Sequence, residues 1–253
     1  MKIAVPLKRI PDPYTPLSIA SDGTLSSAIP GEELAYVVNP FDEVALEAAL
    51  QLFEHPGTQE DSVIAIAVGP DPCEKLLRAA LAMGTQEAIL VETDDQPGPA
   101  VAAAMIAVVC RQEQVNLIIA GKQGADLDQQ QTPLRVAALL GWPCVSNAIS
   151  MDFDSGGELL IGRIASGGTE TVRVSLPAVV TVDLQMAEPR FVGLPAIVRA
   201  RSKPLKRIQP HVPSVTPQEP QILGIRPAPR REACVMLDSV EALAEQVRKA
   251  GGM

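Results

Sequence analysis

The chain has 253 residues, of which 47% are hydrophobic and only 3% aromatic, so Ala, Val, Leu and Ile must fill its core. Its net charge of −9 disfavours nucleic acid or an anionic membrane as the main partner. Four scattered cysteines without a CxxC pair, and only two histidines, disfavour a zinc site. No apolar stretch approaches membrane-spanning length and no cleavage pattern follows the first residues, so we expect a cytoplasmic protein that is not embedded in a membrane.

The apolar periodicity predicts strands that alternate with helices up to Pro143. The predicted strands are residues 2–7, 34–38, 62–68, 88–91 and 115–119, with a hairpin over 19–29; the predicted helices begin at Asn39-Pro40, Cys73, Pro99 and Pro133. Pro56-Gly57 is the predicted end of the first helix. Because most of these strands are almost entirely apolar, they are typical of strands buried on both faces. The pattern predicts an α/β fold, with a mostly parallel sheet and helices on both faces.

The pattern changes after Pro143. Residues 145–153, 158–164, 170–174 and 178–182 read as strands joined by short turns, which predicts an antiparallel addition to the sheet. Residues 204–229 contain seven prolines, so we expect an extended arm without packed secondary structure. Asp238-Ser239 then begins a short amphipathic helix. Since ordering an arm costs conformational entropy, we expect the arm to lie on a partner subunit.

The loop after the strand at 115–119 is the strongest candidate for a ligand site. It places two glycines, a lysine and two aspartates before a helix: Gly121, Lys122, Gly124, Asp126 and Asp128. The glycines allow close backbone approach, the lysine can meet a phosphate, and either aspartate can accept from ribose hydroxyls. The loop matches neither a Walker loop nor a GxGxxG fingerprint. A nucleotide cradle and an ordinary solvated loop are therefore equally compatible with the spacing.

Two stretches give the chain a resemblance to a known family. They are GKQGADLDQQQT, residues 121–132, and LPAVVTVDL with the EPR and LP that follow it, within residues 167–205. Together with Lys8-Arg9, Asn39-Pro40-Phe41 and the Leu-Ala-Met-Gly of residues 81–84, they make the chain similar to electron-transfer flavoprotein beta subunits, from Lys2 to the C-terminal helix. The resemblance implies an adenine-nucleotide-binding type of α/β fold. It also implies that the chain forms a heterodimer with an alpha subunit. This heterodimer would carry electrons and would not be an enzyme.

The resemblance further implies the electron partners and the cofactors. Electrons would come from acyl-CoA dehydrogenases or related flavoenzymes, as in fatty acid oxidation, and leave to a quinone oxidoreductase. FAD would lie mainly in the alpha subunit, and this subunit would bury a structural AMP. The cofactor-binding positions carried over are Pro6, Asn39, Pro40, Phe41, Asp42, Val68, Gly121, Lys122, Gln123, Gly124, Ala125, Asp126, Leu127, Asp128, Gln129, Gln130, Gln131 and Thr132. Phe41 matches a position that lies against the flavin ring in relatives. The loop pairs no nucleophile with a base, so we expect no catalytic residue.

The resemblance also implies a docking role for the segment after the last strand. Leu194 matches the leucine that docks on the dehydrogenase, and we assign Pro195, Ile197 and Arg199 to the same surface. An exposed Leu at a loop tip fills a pocket with little loss of rotamer entropy. Arg199, Arg201 and Lys203 would form a basic cluster that steers an acidic partner. The predicted division is therefore a nucleotide-binding domain at 1–184, a recognition loop at 185–204, and an arm with a terminal helix at 205–253 that clasps the alpha subunit.

Alternatives remain open at this stage. Relatives that bifurcate electrons hold a second FAD in the same pocket, whereas Gln131-Thr132 favours the AMP-binding group. Residues 166–170, SGGTE, are faintly similar to the phosphate loop of ATP pyrophosphatases, but they precede a strand and not a helix. An AMP-binding regulator or an ATP-using α/β protein is the weaker alternative. Ile164 and Ser166 depart from the glutamate and aspartate that the family often has there.

Overall fold

The computed structural model describes residues 1–54, 62–209, 223–229 and 233–251. Its strands are β1 (Lys2–Leu7), β2 (Arg9–Pro11), β3 (Leu17–Ile19), β4 (Leu25–Ser27), β5 (Tyr36–Val38), β6 (Ser62–Gly69), β7 (Glu87–Glu92), β8 (Leu117–Gly121), β9 (Cys144–Phe153), β10 (Leu159–Ala165), β11 (Gly168–Val174), β12 (Ala178–Val182) and β13 (Lys206–Ile208). Its helices are α1 (Pro40–Phe53), α2 (Glu74–Met83), α3 (Pro99–Gln112), α4 (Thr132–Leu140), α5 (Leu194–Ser202) and α6 (Val240–Lys249). The predicted end of α1 at Pro56-Gly57 lies outside the described residues.

One large sheet organises the molecule. Its strand order is β11-β10-β9-β12-β8-β1-β6-β7-β13, and the strands from β12 to β13 run parallel to one another. All five residues of β8 and all five of β12 are buried, as strands covered on both faces require. The predicted α/β class with a mostly parallel sheet is confirmed. The hairpin predicted over 19–29 is also confirmed, as the antiparallel pair of β3 and β4.

Helices cover both faces of this sheet. On one face, α1 and α2 pack through residues such as Leu46, Leu50 and Leu77. On the other face, α3 and α4 pack through Ile106 and Val136. The helix α5 adds to the first face, because its one buried residue, Ala200, joins that core. No helix in the described ranges is long and apolar enough to cross a bilayer.

The predicted antiparallel addition is correct for three strands and wrong for the fourth. β9, β10 and β11 form an antiparallel ribbon. β12, however, inserts between β8 and β9 and runs parallel to both. Its sequence, AVVTV, contains no alternation of polar and apolar residues, whereas β11 exposes most of its side chains. A strand that is apolar throughout is stable only where both of its faces are covered.

The arm begins with a short strand, which its many prolines do not predict. β13 pairs in parallel with β7 at the edge of the sheet, so the prediction of no packed secondary structure is wrong for Lys206–Ile208. Ion pairs add to the packing of Ile208 on the core here. Arg207 lies 2.7 Å from both Asp71 and Glu92 and also pairs with Glu74. The terminal helix α6 begins as predicted, with the Ser239 hydroxyl accepting a hydrogen bond from the backbone N–H of Ala242 at 3.2 Å.

Candidate functional site

A cavity of about 360 Å³ lies at the carboxyl ends of β8, β1 and β6. These three strands are neighbours in the sheet, as predicted. From β1 the chain order runs outward through β6 and β7 on one side and through β8 and β12 on the other. The cavity therefore lies at a topological switch point, where open α/β sheets bind ligands, and its volume falls within the range of small-molecule sites.

Many of the predicted cofactor-binding residues line this cavity. In its wall lie Pro6, Asn39, Asp42, Val68, Gly121, Gln123, Gly124, Asp126, Leu127, Gln129 and Thr132. The other predicted positions lie close by but not in the wall: Pro40, Phe41, Lys122, Ala125, Asp128, Gln130 and Gln131. The structure thus brings strand ends, the start of α1 and the loop after β8 around one space.

Asn39 holds the loop after β8 and does not cap its own helix. Although Asn39 stands at the N-cap position of α1, its side chain makes no capping hydrogen bond. Instead its Nδ2 donates to the carbonyl of Gln123 at 2.8 Å, and its Oδ1 accepts from the N–H of Ala125 at 3.1 Å. Because both bonds reach the backbone of the loop, Asn39 fixes the loop's distance from α1.

Asp42 is a buried carboxyl group in the wall. Its Oδ2 accepts from the backbone N–H of Lys8 at 2.8 Å, which joins the end of β1 to α1. Burial raises the pKa of Asp42 to about 7, although hydrogen bonds from Lys8, Asn39 and Gly121 act in the opposite direction. A group with this pKa changes its charge near neutral pH.

Gly121 is needed because α1 approaches it closely. A Cβ atom at this position would lie 2.3 Å from Oδ1 of Asp42 and 2.7 Å from Cβ of Phe41. No side chain fits without moving the start of α1. The sequence predicted a glycine that permits close backbone approach, and the structure shows that the approaching group includes the protein's own helix.

The two lysines near the loop differ in whether they line the cavity. Lys122 does not line the cavity: its Nζ lies 2.6 Å from Asp183 and 5.6 Å from the centre of the Phe41 ring. Lys8 does line it, with its Nζ within 2.7 Å of both carboxylate oxygens of Asp126. The ammonium group in the wall is therefore that of Lys8, whereas the phosphate contact of Lys122 stays a prediction.

The rest of the loop is closed on itself by hydrogen bonds. Asp128, with a positive φ of 52°, donates its N–H to the carbonyl of Gly124 at 2.8 Å. Its carboxylate accepts from Nε2 of Gln123 at 2.8 Å, so Asp128 braces the loop from outside the cavity. Gln130 donates to Gln123, and Gln131 accepts from Arg135 of α4. Of the two aspartates predicted to meet a ribose, only Asp126 is in the wall.

The sequence reasoning missed one side of the cavity and its floor. The missed wall includes Leu7, Lys8, Gln96, Pro97, Gly98 and Pro99, and the floor includes Ile66, Ala102, Ile106, Ile118, Ala120, Pro133 and Val136. Residues 96–99 connect β7 to α3, at the same edge of the sheet as the loop after β8. The signal was present, because Gln-Pro-Gly-Pro is another turn between a strand and a helix.

The predicted recognition loop contains a helix. Leu194 is the first residue of α5, and the apolar side chains of this helix point away from the core, with exposures of 72% for Leu194, 40% for Ile197 and 55% for Val198. Pro195 and Arg199 are exposed beside them. Lys203 is not part of the predicted basic cluster. Its Nζ donates to the carbonyls of Leu81 at 2.9 Å and Thr85 at 3.3 Å, at the end of α2.

Arg190 connects the segment before α5 to the helix of the cavity. Its guanidinium lies 2.7 Å from the buried Glu47 and 2.6 Å from Glu54, both near the middle or end of α1. Burial disfavours the charged form of Glu47, but hydrogen bonds from Arg190 and Gln51 outweigh it and lower its pKa. α1 thus holds the cavity loop at its start and the α5 segment further along.

In the part of the chain that the structure describes, no group of three or more His, Cys, Asp or Glu side chains could hold a metal ion. Burial raises the pKa of the Cys73 thiol and raises that of Cys110 to about 12, so both stay neutral.

Comparison with known proteins gives consistent matches over the whole chain. A family model described as "Electron transfer flavoprotein domain" matches residues 31–213. The chain is 35% identical to "Electron transfer flavoprotein subunit beta" of Bradyrhizobium diazoefficiens, over 99% of both chains. It is 36% identical to the mitochondrial beta subunit of Arabidopsis thaliana, over 98% of both chains. It is 33% identical to the beta subunit of Homo sapiens, over 99% of this chain and 98% of the human one.

Proposed function

Since the chain belongs to the electron transfer flavoprotein family, as a beta subunit, we propose that it acts as one half of a heterodimer whose alpha subunit holds most of an FAD. The chain is accordingly a component of an electron carrier and not an enzyme. In the proposed cycle, acyl-CoA dehydrogenases or related flavoenzymes supply the electrons and a quinone oxidoreductase receives them. Fatty acid oxidation is the process that such donors serve.

We further propose that this subunit binds AMP as a structural ligand. The observation that carries this proposal is the cavity at the ends of β8, β1 and β6, which combines an apolar floor with a polar rim. Ile66, Ile106 and Val136 offer a surface for the flat face of a base. Lys8 and the first turn of α4, beginning at Thr132, offer positive charge and a helix dipole for a phosphate. Binding here stabilises the folded chain through the free energy of the complex.

The alpha subunit is the proposed partner for the exposed apolar residues of the arm. Leu223, Val235, Met236 and Val240 are each more than 75% exposed, and none of the described residues of α6 is buried. Burying such side chains on a second chain would offset the entropy lost when the arm is ordered. Phe41 is the proposed contact with the flavin ring; it is only 9% exposed, so only a small part of its side chain would take part in that contact.

The dehydrogenase is the proposed partner for α5. Leu194, Ile197 and Val198 recur at the spacing of one helix face, and Pro195 and Arg199 border them. An apolar anchor surrounded by polar residues is typical of a docking hot spot. Arg199 and Arg201 add positive charge on an otherwise acidic protein, which favours approach to an acidic surface.

Coexpression with an alpha subunit tests the proposal. We expect a yellow heterodimer whose flavin is reduced by a dehydrogenase with its acyl-CoA substrate, and mass spectrometry of the released nucleotides should find AMP beside FAD. FAD in twice the amount, without AMP, would identify the bifurcating alternative. A colourless complex, or one that contains no adenine nucleotide beyond the flavin of the alpha subunit, would overturn the proposed cofactor assignment.

A further inference from the structure

The polar groups of the cavity are distributed unevenly between its two sides. Lys8, Asn39, Asp42, Gln123 and Asp126 belong to the end of β1, the start of α1 or the loop after β8. The opposite side, over β6, is formed by Val68, the β7–α3 connection and the inner face of α3, and among its wall residues only Gln96 carries a polar side chain. A nucleotide is also polar at one end and flat at the other, so its base belongs on the side of Gln96.

Hydrogen bonds fix the orientation of the Gln96 amide. Its Nε2 donates to the carbonyl oxygen of Val68 at 3.1 Å. The amide oxygen is thereby turned away from Val68, and its contact on the protein side is the thiol of Cys73 at 3.9 Å. A thiol is a weak donor, so this oxygen retains the capacity to accept a strong hydrogen bond.

We propose that Gln96 selects the base of the bound nucleotide, by accepting a hydrogen bond from the exocyclic amino group of adenine. This inference rests on the proposed function, since it assumes that the cavity binds a purine nucleotide. Adenine presents an amino donor at C6, whereas guanine and hypoxanthine present an oxygen acceptor there. With guanine or hypoxanthine, this base oxygen would face the fixed amide oxygen of Gln96, and two acceptors without a shared proton would weaken the binding of these bases.

A half-turn of the Gln96 side-chain amide would let it donate to hypoxanthine or guanine, but this turn is unfavourable. Turning the amide to offer Nε2 to the base would place the amide oxygen against the carbonyl of Val68. Selectivity therefore comes from an amide held in one orientation, and the same argument applies to the adenine of AMP or of FAD.

The test measures base preference directly in the heterodimer. The complex, stripped of nucleotide by dialysis, is equilibrated with an equimolar mixture of AMP, inosine 5′-monophosphate and purine riboside 5′-monophosphate, and the bound nucleotides are quantified by mass spectrometry. For the wild-type complex we expect AMP to exceed the inosine nucleotide by roughly ten- to hundred-fold, with the unsubstituted purine between them. Equal binding of AMP and the inosine nucleotide would overturn the inference without any variant.

Two variants then test the role of Gln96 independently of the AMP site itself. Gln96→Met keeps the side-chain length and removes both polar atoms. In this variant the bound amount of AMP should exceed that of the inosine nucleotide by no more than about three-fold. In the control Gln51→Met, which breaks a 3.0 Å hydrogen bond to Glu47 outside the cavity, the ratio should not change. If Gln96→Met keeps the wild-type ratio, the role of Gln96 is refuted but the proposed AMP site is not. Failure of the wild-type complex to bind any of the three nucleotides refutes the proposed AMP site as well.

Discussion

The loop of residues 121–132 and the helix α5 differ in whether their side chains find partners within the chain. In and around the loop, polar groups are paired within the chain, as Asn39 with the loop backbone and Asp126 with Lys8. On α5, apolar side chains are left in contact with solvent, and Leu194 is 72% exposed. A small ligand is bound well by polar groups already held in position, whereas a protein partner gains affinity by covering apolar surface.

The helix α1 joins these two regions. Its start holds the loop through Asn39 and faces Gly121, and further along Glu47 and Glu54 hold Arg190. The cavity loop and the segment before α5 are therefore held by the same helix. Substitutions in the first should change stability and ligand binding, whereas substitutions on the exposed face of α5 should change partner kinetics alone.

The largest effect should come from the buried carboxyl group of Asp42. Its pKa of about 7 in the folded chain exceeds the ordinary value of 3.8, so the folded state keeps a proton that the unfolded state loses. Stability should therefore decrease as the pH rises from about 4 to about 7, by on the order of 4 kcal/mol, and then level off. Asp42→Asn cannot ionise, so its stability should lack this component. Urea unfolding of both proteins across this pH range is the measurement, and parallel curves would contradict it.

A somewhat smaller loss is expected for Gly121→Ala. The added Cβ meets Asp42 and Phe41 at distances that force α1 to move, which should cost about 3 kcal/mol. Gly168→Ala is the matched control, because no atom lies within 4 Å of its Cβ position, and its effect should stay within about 0.5 kcal/mol. Chemical denaturation of both variants decides the matter. If both substitutions lower the free energy of unfolding equally, α1 can move away from residue 121 at little cost.

Arg190→Met tests the connection between the two regions. It leaves the carboxylate of Glu47 buried without its partner, and we expect a loss of about 2 kcal/mol in the free energy of unfolding. Arg173→Met removes an exposed pair with Asp154 at 3.3 Å and should cost less than about 1 kcal/mol. If the two substitutions lower the free energy of unfolding by the same amount, the contact between α1 and the segment before α5 contributes no more than an ordinary surface pair.

Leu194→Ala should have the smallest effect on stability and a clear effect on kinetics. Because the side chain is mostly exposed, the free energy of unfolding should change by less than about 0.5 kcal/mol. Loss of an anchor at a docking surface should slow flavin reduction by the dehydrogenase about ten-fold. Leu139→Ala, near the end of α4 and 47% exposed, serves as the control in stopped-flow reduction. Equal rates for Leu194→Ala and wild type would remove this leucine from docking.

Local patterns in the sequence predicted most of the elements, because apolar periodicity and capping residues act over a few positions. The apolar runs at β6 and β8, the helix opened by Asn39-Pro40 and the hairpin at Asp22-Gly23 are of this kind. The place of β12 between β8 and β9, and the pairing of β13 with β7, depend on contacts between segments far apart in the chain. The composition of each segment does not specify such contacts.

The same limit explains what was missed in the cavity. The loop after β8 could be identified because its glycines and charged residues lie within one stretch. The roles of Lys8 and Lys122 could not be separated, since the difference is that one side chain pairs with Asp126 in the wall and the other with Asp183 outside it. Gln96 enters the wall only because β7 lies beside β6 in the sheet.

The pairing of β13 with β7 has a consequence for how the two subunits would assemble. Because Lys206–Ile208 is hydrogen-bonded at the sheet edge, the chain leaves the body of the subunit from a fixed point. In the proposed heterodimer, a mate that contacts both the body and α6 would make the second contact within one complex, at an effective concentration that does not depend on the amount of protein. Two individually modest contacts would then give a long-lived pair.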